Sequence, residues 1–89
     1  MTYLETVGNT PLVRLDRIIP SAVKANGARI LAKMEMQNPG GSVKDRIALA
    51  MVKAAIADGT LASNGTIVEY TSGNTGIGLA MVGAAMGIK

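Results

Sequence analysis

The sequence predicts an α/β fold in which helices cover an incomplete parallel sheet, the start of a three-layer arrangement. Residues 29–36 alternate like a strand, residues 66–70 are rich in β-branched side chains, and a helical pattern follows each of them. A strand, a helix of this length and a second strand favour parallel strands joined by a right-handed crossover. Since a parallel sheet is normally covered on both faces and needs more than two strands, we expect part of a larger domain.

The first 29 residues are predicted to be largely irregular. Gly8-Asn9 has the composition of a turn, and Pro11 interrupts regular structure shortly after it. Residues 11–15 fit a short edge strand because their apolar side chains have polar neighbours. Residues 21–29 favour at most a weak helical turn.

The first strand leads through a breaker-rich loop into a helix. Ser42 is the expected N-cap, and Asp45, three residues later, is its expected capping-box partner. The helix is predicted to end at Asp58-Gly59, with Gly59 just beyond the last turn. The apolar face of this helix is predicted to consist of Ile47, Met51, Ala54 and Ala55, with Ala48 and Val52 beside them.

The second strand is expected at residues 66–70 and the second helix from about Asn74 to Met86, closed by Gly87. Gly78 and Gly83 lie inside this helix, where each costs about 1 kcal/mol relative to alanine. Close packing of the helix on the sheet would compensate for that cost.

Composition excludes several classes of function. The chain has no cysteine and no histidine, so disulfides, thiolate zinc sites and histidine general bases are absent. The net charge is +3, but the basic residues are scattered and the two tyrosines are the only aromatics. A single-strand nucleic-acid binder needs aromatic stacking platforms, so we expect no nucleic-acid partner. No signal peptide is visible and the longest apolar run is too short for a bilayer, so a soluble cytoplasmic protein without a membrane partner is expected.

Lys44 lies in the loop that opens the first helix. A positive charge there is electrostatically unfavourable, which favours the neutral amine that attacks an aldehyde to form a Schiff base. The alternative is an ordinary solvated surface lysine. Both this loop and the next follow a predicted strand and open a helix. In open α/β sheets, loops of this kind lie at the edge where ligands bind.

The second loop, Thr71-Ser72-Gly73-Asn74-Thr75-Gly76, offers hydroxyls, an amide and backbone N–H groups at a helix start. Such a site suits a carboxylate or a phosphate. The alternative is an N-capped turn whose glycines serve backbone conformation alone. The glycine spacing matches neither the dinucleotide fingerprint nor the P-loop.

Three segments resemble motifs of the cysteine synthases (O-acetylserine sulfhydrylases), which are enzymes of fold type II that depend on pyridoxal 5'-phosphate (PLP). They occur in the family's order, and the resemblance extends over nearly the whole chain. The segments are Thr6-Val7-Gly8-Asn9-Thr10-Pro11-Leu12-Val13, Asn38-Pro39-Gly40-Gly41-Ser42-Val43-Lys44-Asp45-Arg46 and Glu69-Tyr70-Thr71-Ser72-Gly73-Asn74-Thr75-Gly76-Ile77-Gly78. The resemblance implies a tryptophan synthase β-like fold. Residues 1–29 would then pack on a larger domain, and residues 30–89 would begin the smaller α/β domain.

The same resemblance implies roles for the two loops. Lys44 would hold PLP as a Schiff base and move protons at the substrate Cα, and Asn74 would hydrogen-bond the cofactor's phenolic oxygen. Thr71, Ser72, Gly73, Asn74 and Thr75 would hold the substrate carboxylate. The reaction would convert O-acetylserine and sulfide into cysteine, and the full-length parent would be a homodimer. No metal is implied.

Two alternatives remain open. A cystathionine β-synthase shares these loops and uses homocysteine in place of sulfide, and a truncated, non-catalytic fragment would carry the motifs without activity. The family's glycine- and threonine-rich loop for the PLP phosphate and its partner of the pyridine nitrogen are not found among these 89 residues. We therefore expect the 89-residue chain to be inactive on its own. Tyr70 stands where many relatives have a smaller residue.

Overall fold

The computed structural model describes residues 1–89. The chain is elongated, with extents of 57 × 30 × 20 Å and a radius of gyration of 17.7 Å. A compact domain of this length would have a radius of gyration of about 12 Å. The elements form a strand pair near the N-terminus and a helix pair that contains the core.

A two-stranded antiparallel sheet joins β1 (Leu12–Arg14) to β2 (Leu31–Lys33). Both strands lie within predicted strands but are shorter, because a single-turn 3-10 helix (Glu35–Gln37) takes up the end of the second segment. The short, exposed helix α1 (Ser21–Ala25) lies between these strands in the sequence, and a 3-10 helix at Tyr3–Thr6 packs its Leu4 against the core of the helix pair. The weak helical turn expected at 21–29 is confirmed by α1.

Residues 66–70 form no strand, so the second predicted strand is wrong for the chain as folded here. The reason is that strand structure needs a hydrogen-bonded neighbour. This segment has a single such contact, from the Ile67 N–H to the Lys89 carbonyl at 2.6 Å. Val68 and Tyr70 are 89% and 99% exposed. The one sheet present is therefore antiparallel, and the predicted parallel pairing is not formed.

Helix α2 spans Lys44–Ala57 and ends as predicted, at Asp58 followed by Gly59 with a φ of +82°. The predicted capping box at its start is wrong. Ser42 Oγ accepts from the Lys44 N–H at 3.1 Å, but the Asp45 carboxylate accepts from the Gly40 N–H at 2.5 Å. Asp45 folds back over the preceding turn because Gly40 has no Cβ to exclude it, and it is completely buried there.

Helix α3 spans Asn74–Met86 and is closed by Gly87 in the left-handed conformation, as predicted. It packs on α2, and the core consists of Ala48, Val52, Leu79, Val82 and Ile88. The predicted apolar face of α2 is therefore rotated. Ala48 and Val52 are buried, whereas Ile47 and Met51 are 42% and 43% exposed. The reason is that α3 covers only the side of α2 on which Ala48 and Val52 lie.

The glycines of α3 serve close packing, as expected, but on α2 rather than on a sheet. A Cβ at Gly78 would lie 3.1 Å from both the Ala48 Cβ and the Lys44 carbonyl oxygen. Neither α2 nor α3 has the length and apolar character needed to cross a membrane, and the shorter helices do not either.

Candidate active site

Lys44 is the first residue of α2 and is half-buried. The loop before it turns at Gly41, whose φ of +89° favours glycine. The two salt bridges of the chain involve other residues, so no carboxylate neutralises the Lys44 amine. A primary amine in this position is available for bonding to a ligand.

The second candidate loop winds around the Thr71 hydroxyl. Its oxygen accepts from the Gly76 N–H at 3.1 Å and from the Gly73 N–H at 3.3 Å. Asn74 and Thr75 open α3, and the first N–H groups of a helix have no partner within the helix. Thr71, Ser72, Gly73 and Asn74 are exposed and Thr75 is half-buried. The loop therefore presents hydroxyl, amide and backbone donors to solvent, a set that suits an anion.

The packing of α3 on α2 brings the two loops to the same end of the helix pair. Gly78 is the fifth residue of α3, and it lies against the backbone of Lys44 in the first turn of α2. The N-terminal turns of both helices are therefore neighbours. The structure thus brings the Lys44 backbone close to the second turn of α3, through helix packing and without the parallel sheet edge that the sequence predicted.

The lysine loop is also held by a polar network that sequence reasoning missed. The Glu35 carboxylate accepts from Arg46 Nε at 2.8 Å and Arg46 Nη2 at 3.0 Å, and it also accepts from Thr10 and Asn38. These hydrogen bonds, with the Arg46 contact first among them, lower the pKa of Glu35 to about 2. The carboxylate in turn raises the pKa of Arg46. The sequence signal that could have indicated this network is the pair of opposite charges, Glu35 and Arg46, on either side of the Asn-Pro-Gly-Gly turn.

Other polar groups lie away from this site. The Lys33 ammonium donates to the Thr10 carbonyl at 2.5 Å, which ties β2 to the N-terminal segment. Hydrogen bonds from Thr60 lower the pKa of Asp58 at the far end of α2. No group of three carboxylates could hold a metal ion.

A groove of about 470 Å³ does not touch Lys44. It lies between residues 67–71 and α3, and Thr71 and Gly76 are its only contacts with the candidate site. Its walls are mainly apolar side chains and small residues, including Leu79 and Ile88. This composition is that of a packing surface rather than of the anion site.

The sequence model of the family described as pyridoxal-phosphate dependent enzyme matches residues 3–89. The chain belongs to this family. Members depend on PLP, and fold type II is the fold that fits both the family and the solved structures that this chain resembles.

Several curated relatives of this chain are cysteine synthases. A cysteine synthase from Flavobacterium sp. is 54% identical over 86 residues, which are 97% of this chain and 26% of that protein. Cysteine synthase 1 of Emericella nidulans is 56% identical over 85 residues, 96% of this chain and 22% of that protein. The chain thus spans about a quarter of the length of these relatives.

Solved structures of enzymes agree with this assignment. A hydrogen sulfide-producing enzyme from Fusobacterium nucleatum is 44% identical with a TM-score of 0.88, over 99% of this chain and 28% of that one. An O-ureido-L-serine synthase is 51% identical with a TM-score of 0.89, over 99% of this chain and 26% of that one. A lysine-to-alanine variant of O-ureido-L-serine synthase with O-ureido-L-serine bound is also similar, with a TM-score of 0.87.

Proposed function

We propose that this chain is the N-terminal part of a PLP-dependent cysteine synthase, which makes L-cysteine from O-acetylserine and sulfide. The observation that carries the proposal is the close approach of Gly78 to the Lys44 backbone, which brings the first turn of the lysine helix close to the start of α3. The identity of 53–56% to cysteine synthases over nearly all of the chain supports it.

The residues present fit the cofactor. A primary amine at Lys44 can bond an aldehyde carbon, and the exposed Asn74 amide can donate to a phenolic oxygen beside it. When bound, PLP supplies an electron sink for negative charge at the substrate Cα. The part of the parent outside these residues would hold the PLP phosphate.

The substrate would be held through its carboxylate. Thr71, Ser72, Gly73, Asn74 and Thr75 would donate hydroxyl, amide and backbone hydrogens to it at the start of α3. With the carboxylate fixed, the Lys44 amine removes the Cα proton and returns it after acetate at Cβ has been exchanged for sulfide. Holding the reacting atoms in this arrangement is the contribution of the protein.

The remaining expectations concern the parent protein. In the parent, residues 66–70 would become a strand of a parallel sheet and would pair with a strand that begins at Ile88-Lys89. The hydrogen bond between Ile67 and Lys89 would be the first hydrogen bond between these two strands. Residues 1–29 would pack on the larger domain and residues 30–89 would form the start of the smaller one. The parent would be a cytoplasmic homodimer without nucleic-acid or membrane partners.

The test is turnover by the full-length parent with O-acetylserine and sulfide, read as cysteine formed. No cysteine would overturn the proposal, and cystathionine from homocysteine in its place would identify a cystathionine β-synthase. We expect Lys44→Ala to abolish the near-visible absorbance of lysine-linked PLP, whereas Lys53→Ala, on the exposed side of α2, should retain it. If the band survives Lys44→Ala, Lys33 is the next candidate.

A further inference from the structure

The Glu35 carboxylate is unusually well satisfied for a side chain near the surface. Its Oε1 accepts from Arg46 Nη2 at 3.0 Å and from the Thr10 hydroxyl at 2.6 Å. Its Oε2 accepts from Arg46 Nε at 2.8 Å and from Asn38 Nδ2 at 2.8 Å. The guanidinium is thus bound at both oxygens, the geometry that fixes an arginine in orientation as well as position.

This carboxylate joins the N-terminal segment, the loop after β2 and the first turn of α2. Asn38 and Thr10 are buried, and the Asn38 Oδ1 accepts from the Gly8 N–H at 2.7 Å. A Cβ at Gly8 would lie 3.0 Å from Arg46 Nη1, so the N-terminal turn is closely packed against the guanidinium. We call Gly8, Thr10, Glu35, Asn38 and Arg46 the Glu35 network.

The network acts on the first turn of α2, which contains Lys44. Arg46 is two residues beyond Lys44 in that turn, and the helix has no side-chain cap at its N-cap residue, Val43. The orientation of the turn is therefore set by its side-chain anchors. Arg46 holds this turn through its ion pair with Glu35, and the buried Asp45 carboxylate holds it through the hydrogen bond that it accepts from the Gly40 N–H.

We propose that the Glu35 network positions Lys44 for its reaction, so that Thr10, Glu35 and Arg46 are positioning residues; this rests on the proposed function of Lys44. The proposal gives a role to the N-terminal motif Thr6–Val13, which lies outside both candidate loops. Its Gly8 and Thr10 hold the start of the lysine helix by way of Asn38, Glu35 and Arg46.

The network contains an ion pair. Because its hydrogen bonds, the Arg46 contact first among them, lower the pKa of Glu35 to about 2, its carboxylate is ionised at neutral pH. Arg46 is charged at neutral pH as well. The ion pair between Glu35 and Arg46 is therefore formed at neutral pH.

The first test uses the full-length parent with PLP and two variants, Glu35→Gln and Arg46→Lys. Each keeps the approximate size of the side chain but loses the bidentate ion pair. We expect kcat to fall by up to about 100-fold, the cost of a misplacement of roughly 1 Å. The KM for the amino-acid substrate should stay unchanged, since the carboxylate loop is untouched. The matched control is Asp16→Asn, which breaks the exposed Arg14–Asp16 pair (side chains 58% and 42% exposed) and should leave kcat unchanged.

The second test reads Lys44 without cofactor or activity. In the cofactor-free parent, an amine-labelling reagent and mass spectrometry compare the labelling rate of half-buried Lys44 with that of exposed Lys53 on the same helix. We expect Glu35→Gln and Arg46→Lys to accelerate labelling at Lys44 several-fold and to leave Lys53 unchanged. Equal acceleration at both lysines would mean general loosening of α2 and would overturn the proposal.

A milder pair covers the case in which the charge variants fail to fold. Thr10→Val removes one hydroxyl from the network, and Thr10→Ser restores it with a similar size. Thr10→Val should lower kcat and accelerate Lys44 labelling, and Thr10→Ser should reverse most of both changes.

The proposal is overturned if the network variants match Asp16→Asn in kcat and in Lys44 labelling. A different result would refute the proposed function instead. If the wild-type parent makes no cysteine, the labelling experiment still decides whether the network holds Lys44, because it needs neither PLP nor substrate.

Discussion

Replacing Gly78 by alanine should displace Lys44 through direct backbone contact. The added Cβ would lie 3.1 Å from the Lys44 carbonyl oxygen and 3.1 Å from the Ala48 Cβ, whereas ordinary contacts begin near 3.4 Å. The helices must therefore separate by at least 0.3 Å at this point (3.4 minus 3.1). If roughly 1 Å of misplacement costs about 100-fold in rate, this separation costs at least about 4-fold in kcat.

The effect of Gly78→Ala on stability combines two opposing contributions. Alanine gains about 1 kcal/mol of helix propensity over glycine, and overpacking costs about 1–3 kcal/mol. The net effect of Gly78→Ala on the free energy of unfolding therefore lies between no change and a loss of about 2 kcal/mol. The assays are cysteine formation and thermal unfolding of the full-length parent.

Gly83→Ala is the matched control in the same helix. Its Cβ would lie 3.0 Å from the Ile88 carbonyl oxygen, an equally tight contact that does not involve Lys44. We expect a similar change in stability with kcat unchanged. If Gly83→Ala lowers kcat as much as Gly78→Ala, or if neither does, the argument that Gly78 acts through Lys44 is refuted.

Three further predictions follow from the same contacts. Gly40→Ala should lower the free energy of unfolding of the parent by about 1–3 kcal/mol in denaturant, because its Cβ would overlap the buried Asp45 carboxylate. Gly73→Ala is the control, since its Cβ would have no atom within 4 Å and stability should not change. Equal losses of stability in the two variants would contradict this prediction. Because folding lowers the pKa of Glu35 from 4.5 to about 2, its contribution to stability is present above pH 4.5 and is lost as the pH falls through about 2. Glu35→Gln should therefore reduce the decrease in the thermal unfolding midpoint between pH 4.5 and about 2. An unchanged decrease would contradict this prediction. The 89-residue chain alone should make no cysteine when it is given PLP, O-acetylserine and sulfide. It should also elute from a sizing column as an associated species, because apolar groups such as Val68 and Tyr70 are exposed. Stoichiometric cysteine from a monodisperse sample would contradict this prediction.

Local sequence was sufficient for the features that depend on neighbouring residues. The bounds of α3, from Asn74 to Met86, and the left-handed glycines at 59 and 87 were predicted from periodicity and cap composition. These features depend on backbone dihedrals and on contacts within one helical turn. The two loops that open helices were found for the same reason, since each is a contiguous motif.

Tertiary contacts decided the features that sequence reasoning predicted wrongly. A capping box at Ser42 and Asp45 was locally reasonable, but the bare Gly40 backbone offered Asp45 a buried partner. Residues 66–70 had the right composition for a strand, but their single hydrogen bond, from the Ile67 N–H to the Lys89 carbonyl, does not form one. Periodicity placed Ile47 and Ala48 side by side on α2, but only the position of α3 determined that Ala48 is the buried one.

The sequence alone therefore determined the family, the candidate lysine and the candidate anion loop, because each of these is recorded in consecutive residues. Only the folded chain showed which side chains contact Arg46 in the first turn of the lysine helix. Thr10 and Glu35 are 25 positions apart, and Thr10 and Arg46 are 36 apart. No local rule connects residues at such separations, since the hydrogen bonds between them form only once the antiparallel strands and the start of α2 have been brought together.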